Sequence, residues 1–80
     1  MNKILMVIGG SGFIGSHFID HVISKDFKII NVDKISYASN LHYCKSSSKM
    51  TFYKIDISSY RAINELIYKI KPHIIVNFAA

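Results

Sequence analysis

The chain alternates between short apolar runs and amphipathic stretches, and the order of the two predicts how it folds. Ile4-Leu5-Met6-Val7-Ile8 is apolar without interruption and stops at Gly9-Gly10, as a central parallel strand covered on both faces would. Beyond the glycines, Ile14, Phe18 and Val22 recur every four residues, widened by Ile19 and Ile23, while His17, Asp20, His21 and Ser24 fall on the other side. That spacing predicts an amphipathic helix. Asp26 and Lys28 mark its exit, and Lys28-Ile29-Ile30-Asn31-Val32 reads as a second strand. Residues 34–50 are polar, least structured at Ser46-Ser47-Ser48, and read as a loop with one helical turn around Leu41. Thr51-Phe52-Tyr53-Lys54-Ile55 alternates and is rich in β-formers, so it predicts a third strand. Ser58 or Ser59 then caps a helix whose stripe is Ala62, Ile63, Leu66, Ile67 and Ile70 and which Pro72 ends. His73 to Phe78 reads as a fourth strand, apolar enough to expect cover on both sides.

Strands alternating with helices in this way imply a parallel sheet with right-handed crossovers. The expected architecture is α/β, a partial Rossmann-like doubly wound sheet in the order 3-2-1-4 that supplies the N-terminal half of such a domain. The two helices are expected on opposite faces, and the fourth strand becomes an open edge although its sequence suits an interior position. Residues 1–80 are therefore read as the N-terminal part of one such domain. A chain this short buries only about 60% of its unfolded surface, so marginal stability is expected.

Composition narrows the function classes. Half the residues are hydrophobic and 19% are charged, which argues against a disordered tail. The net charge of +5 raises the question of nucleic acid. The ten basic residues are spread along the chain, however, with no basic run and no RNP-like or zinc-finger spacing, so no nucleic-acid partner is expected. The apolar run at the N-terminus is too short for a signal core or a membrane span, and no membrane association is expected. The single Cys44 cannot form an intrachain disulfide, which fits a reducing cytoplasm. His17 and His21 are one helical turn apart, but with no third ligand they read as a solvated helix face, and no metal is expected.

The chemistry sits between the first strand and the first helix. Gly9, Gly12 and Gly15 place a glycine at every third position of Gly9-Gly10-Ser11-Gly12-Phe13-Ile14-Gly15-Ser16, and Gly10, Gly12 and Gly15 also satisfy G-x-G-x-x-G. Glycines there permit the tight turn, let the backbone approach a pyrophosphate, and let helix and strand pack closely. The helix N-terminus then meets the phosphate charge. Asp33 stands eighteen residues after Gly15, at the end of the second strand. A carboxylate there accepts hydrogen bonds from the adenosine ribose and repels a 2′-phosphate, so the expected cofactor is NAD rather than NADP.

Gly-Gly-Ser-Gly-Phe-Ile-Gly-Ser is similar to the fingerprint of extended short-chain dehydrogenases, a group that includes sugar epimerases and dehydratases. The segment Asn31-Val32-Asp33-Lys34-Ile35-Ser36-Tyr37-Ala38-Ser39-Asn40-Leu41 resembles more narrowly the dTDP-glucose 4,6-dehydratases, where it usually runs V-D-K-L-T-Y-A-G-N-L. Asp56-Ile57 and Asn77-Phe78-Ala79-Ala80 look like that family's adenine-side and nicotinamide-side contacts. The resemblance spans essentially the whole chain but only about the first quarter of a family member, and it implies that residues 1–80 are the N-terminal part of an NAD-binding Rossmann domain, with the substrate domain and catalytic half absent from them. It implies that Phe13 and Ile14 offer backbone donors to the pyrophosphate and that Asp33, Lys34 and Ser36 hold the adenosine ribose. It places Asp56 and Ile57 beside adenine, and Phe78, Ala79 and Ala80 along the cofactor toward nicotinamide. Ser39 departs from a usual Gly, Ser36 from a usual Thr, and Ile8 from a Thr common before the glycine pair.

The implied whole-enzyme reaction is a lyase reaction that recycles its own NAD. Hydride leaves the hexose C4, water is lost across C5–C6, and the hydride returns to C6, giving a 4-keto-6-deoxy sugar nucleotide for deoxysugars such as rhamnose. The family's Tyr-x-x-x-Lys pair lies downstream: Tyr37, Tyr43, Tyr53, Tyr60 and Tyr68 are followed four residues later by Leu41, Ser47, Ile57, Asn64 and Pro72. These 80 residues are accordingly expected to be inactive alone, with no catalytic residue among them. Three readings stay open: a dehydratase segment that works with a separately supplied remainder, a fragment of a UDP-glucose 4-epimerase-like enzyme, and a non-catalytic nucleotide-binding remnant. The family's dimer contacts lie beyond residue 80, so a homodimer is expected only of the full-length enzyme.

Overall fold

A computed structural model describes residues 3–34, 49–56 and 58–79. Six elements follow in the order β1 (Lys3–Ile8), α1 (Phe13–Val22), β2 (Phe27–Asp33), β3 (Met50–Lys54), α2 (Tyr60–Ile70) and β4 (Ile74–Asn77). The four strands form one parallel sheet in the order β3-β2-β1-β4, the order expected from the alternation of elements. The turn expected around Leu41 lies outside the described residues.

Side chains alternate across the sheet, so each strand feeds two cores. Leu5, Val7, Ile29 and Met50 pack with Ile19 and Val22 of α1. Met6, Ile8, Ile30 and Val32 pack on the opposite face with Leu66 of α2, flanked by Ile63, Ile67 and Ile70. The α2 stripe thus lies where its periodicity puts it. Ser59 is its N-cap, with Oγ accepting from Ala62 N at 3.4 Å. Its C-terminal end is set by Lys71, held in the left-handed region at φ 55° with its N–H on the Ile67 carbonyl at 2.7 Å, so the helix turns off one residue before Pro72.

Two expectations need correction. The α1 stripe was predicted to begin at Ile14, but Ile14 is 65% exposed and Phe13 77%, while Gly15, Ser16, Ile19 and Val22 are buried. The reason is Gly15. A Cβ there would strike the Gly9 carbonyl oxygen and lie 2.8 Å from Gly10 Cα, so the face containing Gly15 is the one pressed against the sheet. At 100° per residue this turns Ile14 toward solvent. The loop was also predicted to reach residue 50, whereas Met50 opens β3 and is 3% exposed, in register with Ile29.

β1 and β2, flanked by other strands, are buried from Leu5 to Ile8 and from Ile29 to Asp33. β4 pairs only with β1 among the described strands, and Ile74 and Ile75 are 41% and 45% exposed. This apolar edge is the position expected for the fourth strand.

Candidate cofactor site

β1 ends at Ile8 and the chain turns sharply over the sheet. Gly9 sits at φ +81°, a region that a side chain rarely tolerates, and a Cβ there would lie 2.8 Å from Ala79 N and 3.1 Å from the Phe78 carbonyl carbon. The turn is fixed by Gly9 N donating to the Val32 carbonyl at 2.7 Å and by Phe78 N donating to the Ile8 carbonyl, also at 2.7 Å. The N-cap of α1 is Gly12, which offers no side-chain bond, and no acidic residue occupies the first turn. The positive end of the helix dipole is therefore not countered by the helix's own side chains.

A cleft of about 510 Å³ opens at this point, between the carboxyl ends of β1, β2 and β4. The chain order reverses there, where doubly wound sheets place their ligands. The cleft brings together Gly9, Gly12, Phe13, Ile14, Gly15, Asp33, Lys34, Phe78 and Ala79, nine of the positions that the sequence singles out. Ile8, Val32 and Ile55 complete its apolar wall. None of these three stands among the predicted cofactor contacts, although their places at or just beyond strand ends are a signal for it.

Asp33 is buried, and its Oδ2 accepts from the Ser11 N–H at 3.0 Å. Lys34 is exposed at the cleft rim. Asp56 does not line the cleft: its Oδ1 accepts from Ser58 N at 2.9 Å and Ser58 Oγ at 2.8 Å, closing the turn before α2. Ser36, Ile57 and Ala80 lie outside the described residues. His17 is stacked edge-on against Phe13 with ring centroids 4.8 Å apart. No helix among the described residues is long and apolar enough to cross a membrane.

The Ser58 backbone N–H, then its hydroxyl, and more weakly the Lys34 charge hold the Asp56 carboxyl below the ordinary aspartate value. A depressed folded-state pKa stabilises the fold above the unfolded value of about 3.9, and the contribution is lost as pH falls through the lower folded value. Asp56→Ala should therefore melt below the wild-type chain at neutral pH, and the two melting temperatures should converge in acid beneath the carboxylate range. A gap that persists there would show that the turn does not depend on the charge.

A family profile described as GDP-mannose 4,6 dehydratase matches residues 6–80. The chain belongs to this family. It is 37% identical over 81 residues to the dTDP-glucose 4,6-dehydratase of Haemophilus influenzae, covering 95% of this chain and 24% of that protein. The crystal structure of the dTDP-glucose 4,6-dehydratase of Bacillus anthracis in complex with NAD superposes with a TM-score of 0.83 at 32% identity, covering 98% of this chain and 27% of that one. A UDP-Glc/GlcNAc 4-epimerase from Campylobacter jejuni reaches 0.86 at 26% identity, covering 99% and 25%. This member of the family thus spans about a quarter of the length of the relatives it matches.

Proposed function

We propose that this chain forms the pyrophosphate and adenosine side of the NAD site of a nucleotide-sugar 4,6-dehydratase acting on a dTDP-hexose. The observation that carries the reading is the uncapped, glycine-lined start of α1 facing Asp33 across one cleft. The residues present fit the cofactor. A Cβ at Gly9 or Gly15 would strike the backbone of the turn and of its neighbours beside the cleft, so the turn is built of bare backbone, which a diphosphate can approach closely.

In this reading the Phe13 and Ile14 N–H groups bind the pyrophosphate. Asp33 accepts from the adenosine ribose and turns away a 2′-phosphate, with Lys34 and Ser36 beside it. The resemblance puts Asp56 and Ile57 beside adenine, Asp56 from outside the cleft with its Oδ1 engaged by Ser58, and Phe78, Ala79 and Ala80 along the path toward nicotinamide. The apolar wall of Ile8, Val32 and Ile55 excludes water from the adenosine end. When bound, NAD supplies a reversible hydride acceptor. The sugar-binding and proton-transfer groups belong to the part of the relatives that these residues do not cover, whether it follows in the same polypeptide or comes from a separate one.

A second reading, part of a UDP-glucose 4-epimerase-like enzyme, is favoured by the fold likeness to the Campylobacter protein. The Asp33 to Leu41 segment and the higher identity to dehydratases weigh against it. Grafting residues 1–80 in place of the matching quarter of the Haemophilus dehydratase decides the matter. The expected chimera retains NAD and forms a 4-keto-6-deoxy sugar nucleotide. A folded chimera without NAD would sink the proposal, and function only within a 4-epimerase host would favour the second reading.

A further inference from the structure

Asn31 stands in the middle of β2, hydrogen-bonded between β1 and β3, where its neighbours Ile29, Ile30 and Val32 are apolar. Its side chain is fully buried, and burying an amide is costly unless it is paired. The amide points at the glycine turn: Nδ2 donates to Ser11 Oγ at 3.2 Å, and Ser11 is itself only 1% exposed. The same serine donates its backbone N–H to Asp33 Oδ2 at 3.0 Å. Asn31 and Asp33 are two residues apart on one strand and so project from the same face. Gly10 makes the arrangement fit, since a Cβ there would collide with Asn31 Oδ1 and lie 2.7 Å from Ile19 Cδ1.

We infer that Asn31 and Ser11 are positioning residues that fix the Asp33 carboxylate and thereby set the preference for a dinucleotide with a free 2′-hydroxyl. Asn31 holds the Ser11 hydroxyl, the held serine presents its N–H, and that N–H pins one carboxylate oxygen through a charge-assisted bond. A pinned carboxylate cannot swing aside for a 2′-phosphate. The inference rests on the dinucleotide reading above.

The test uses the full chain and its Ser11→Ala, Asn31→Val and doubly substituted variants, titrated with NAD and with NADP. The readout is the ratio of the two dissociation constants. Partial unfolding weakens both ligands by the same factor, because each binds only the folded fraction, so a merely structural role leaves the ratio unchanged. Each single variant removes the neutral Asn31–Ser11 hydrogen bond and keeps the Ser11 N–H, so it is expected to lower the preference for NAD by up to about tenfold, the scale of one ordinary hydrogen bond. The double variant is expected to go no further, because the two residues act through one contact. Exchange of the Ser11 amide proton should also quicken in Asn31→Val relative to the Met6 amide of β1. Unchanged ratios in all variants would overturn the clamp while leaving the cofactor site standing. A wild-type chain that binds neither dinucleotide would overturn the cofactor reading and the clamp with it.

Discussion

Gly15→Ala is expected to abolish dinucleotide binding and to remove most of the stability of the fold. The added methyl would meet the Gly9 carbonyl oxygen and Gly10 Cα, which are backbone atoms that no rotamer change can move. Either α1 lifts off the sheet or the turn over β1 shifts. Lifting α1 opens the core that Ile19 and Val22 share with Leu5, Val7 and Ile29. Shifting the turn displaces Gly9, which lacks room even for a Cβ beside Ala79 and Phe78. Overpacking of this kind typically costs about 1–3 kcal/mol and occasionally more, a large share of what so small a domain holds in reserve. Thermal melting of the variant should show a marked drop in midpoint, or no cooperative transition. Ser16→Ala, one position along and also buried, adds no atom and removes a hydroxyl that bonds the Phe13 carbonyl at 3.0 Å, a loss of about 1 kcal/mol. A Gly15→Ala chain as stable as Ser16→Ala would refute the close packing of α1 on the turn.

Asp33→Asn is expected to collapse the discrimination between NAD and NADP. The wild-type carboxylate gains charge-assisted bonds to a ribose diol and repels a 2′-phosphate, whereas the amide does neither as well. Affinity for NAD should fall about 10–100-fold, as for losing a hydrogen bond to a charged group, while affinity for NADP holds or rises. Asparagine is the informative substitution because its Oδ1 can still accept from the Ser11 N–H. Asp33→Ala would strand that buried donor at a further cost of about 1–3 kcal/mol. Competition between the two dinucleotides on one sample checks the prediction, and an unchanged ratio would remove Asp33 from the adenosine end.

The contrast between Asp33 and Asn31 shows what was legible in the sequence. An acid at a strand end, in register behind a glycine cluster, announces its chemistry because few structural needs put a charge there. An amide inside a strand announces nothing by itself; its meaning depends on what the chain lays over it, here Ser11 and Gly10. The sheet order could be read because β1 is apolar from Ile4 to Ile8, β2 carries Ile29, Ile30 and Val32, and the helices between strands fix the crossovers. The phase of α1 could not, since Ile14, Phe18 and Val22 form as regular a stripe as Gly15, Ile19 and Val22. The choice between them was made by the close approach of Gly15 to the Gly9 carbonyl. Met50 was lost to the loop because the polar residues before it dominate that stretch, whereas burial beside Ile29 decides its state. Asp56 belongs to both descriptions. The resemblance reads it as an adenine contact, and in the fold its Oδ1 is engaged with Ser58.

The central claim is that NAD binds in the cleft at the start of α1, and mapping amide shifts in the isotope-labelled chain as NAD is added tests it most directly. The account predicts saturable shifts concentrated at Gly9, Ser11, Gly12, Phe13, Ile14 and Gly15, with a second group at Asp33, Lys34 and Ala79, and little change at Arg61, Glu65 and Tyr68 on the far side of α2. Shifts centred on α2, or none at NAD concentrations that saturate the Bacillus anthracis dehydratase, would contradict it.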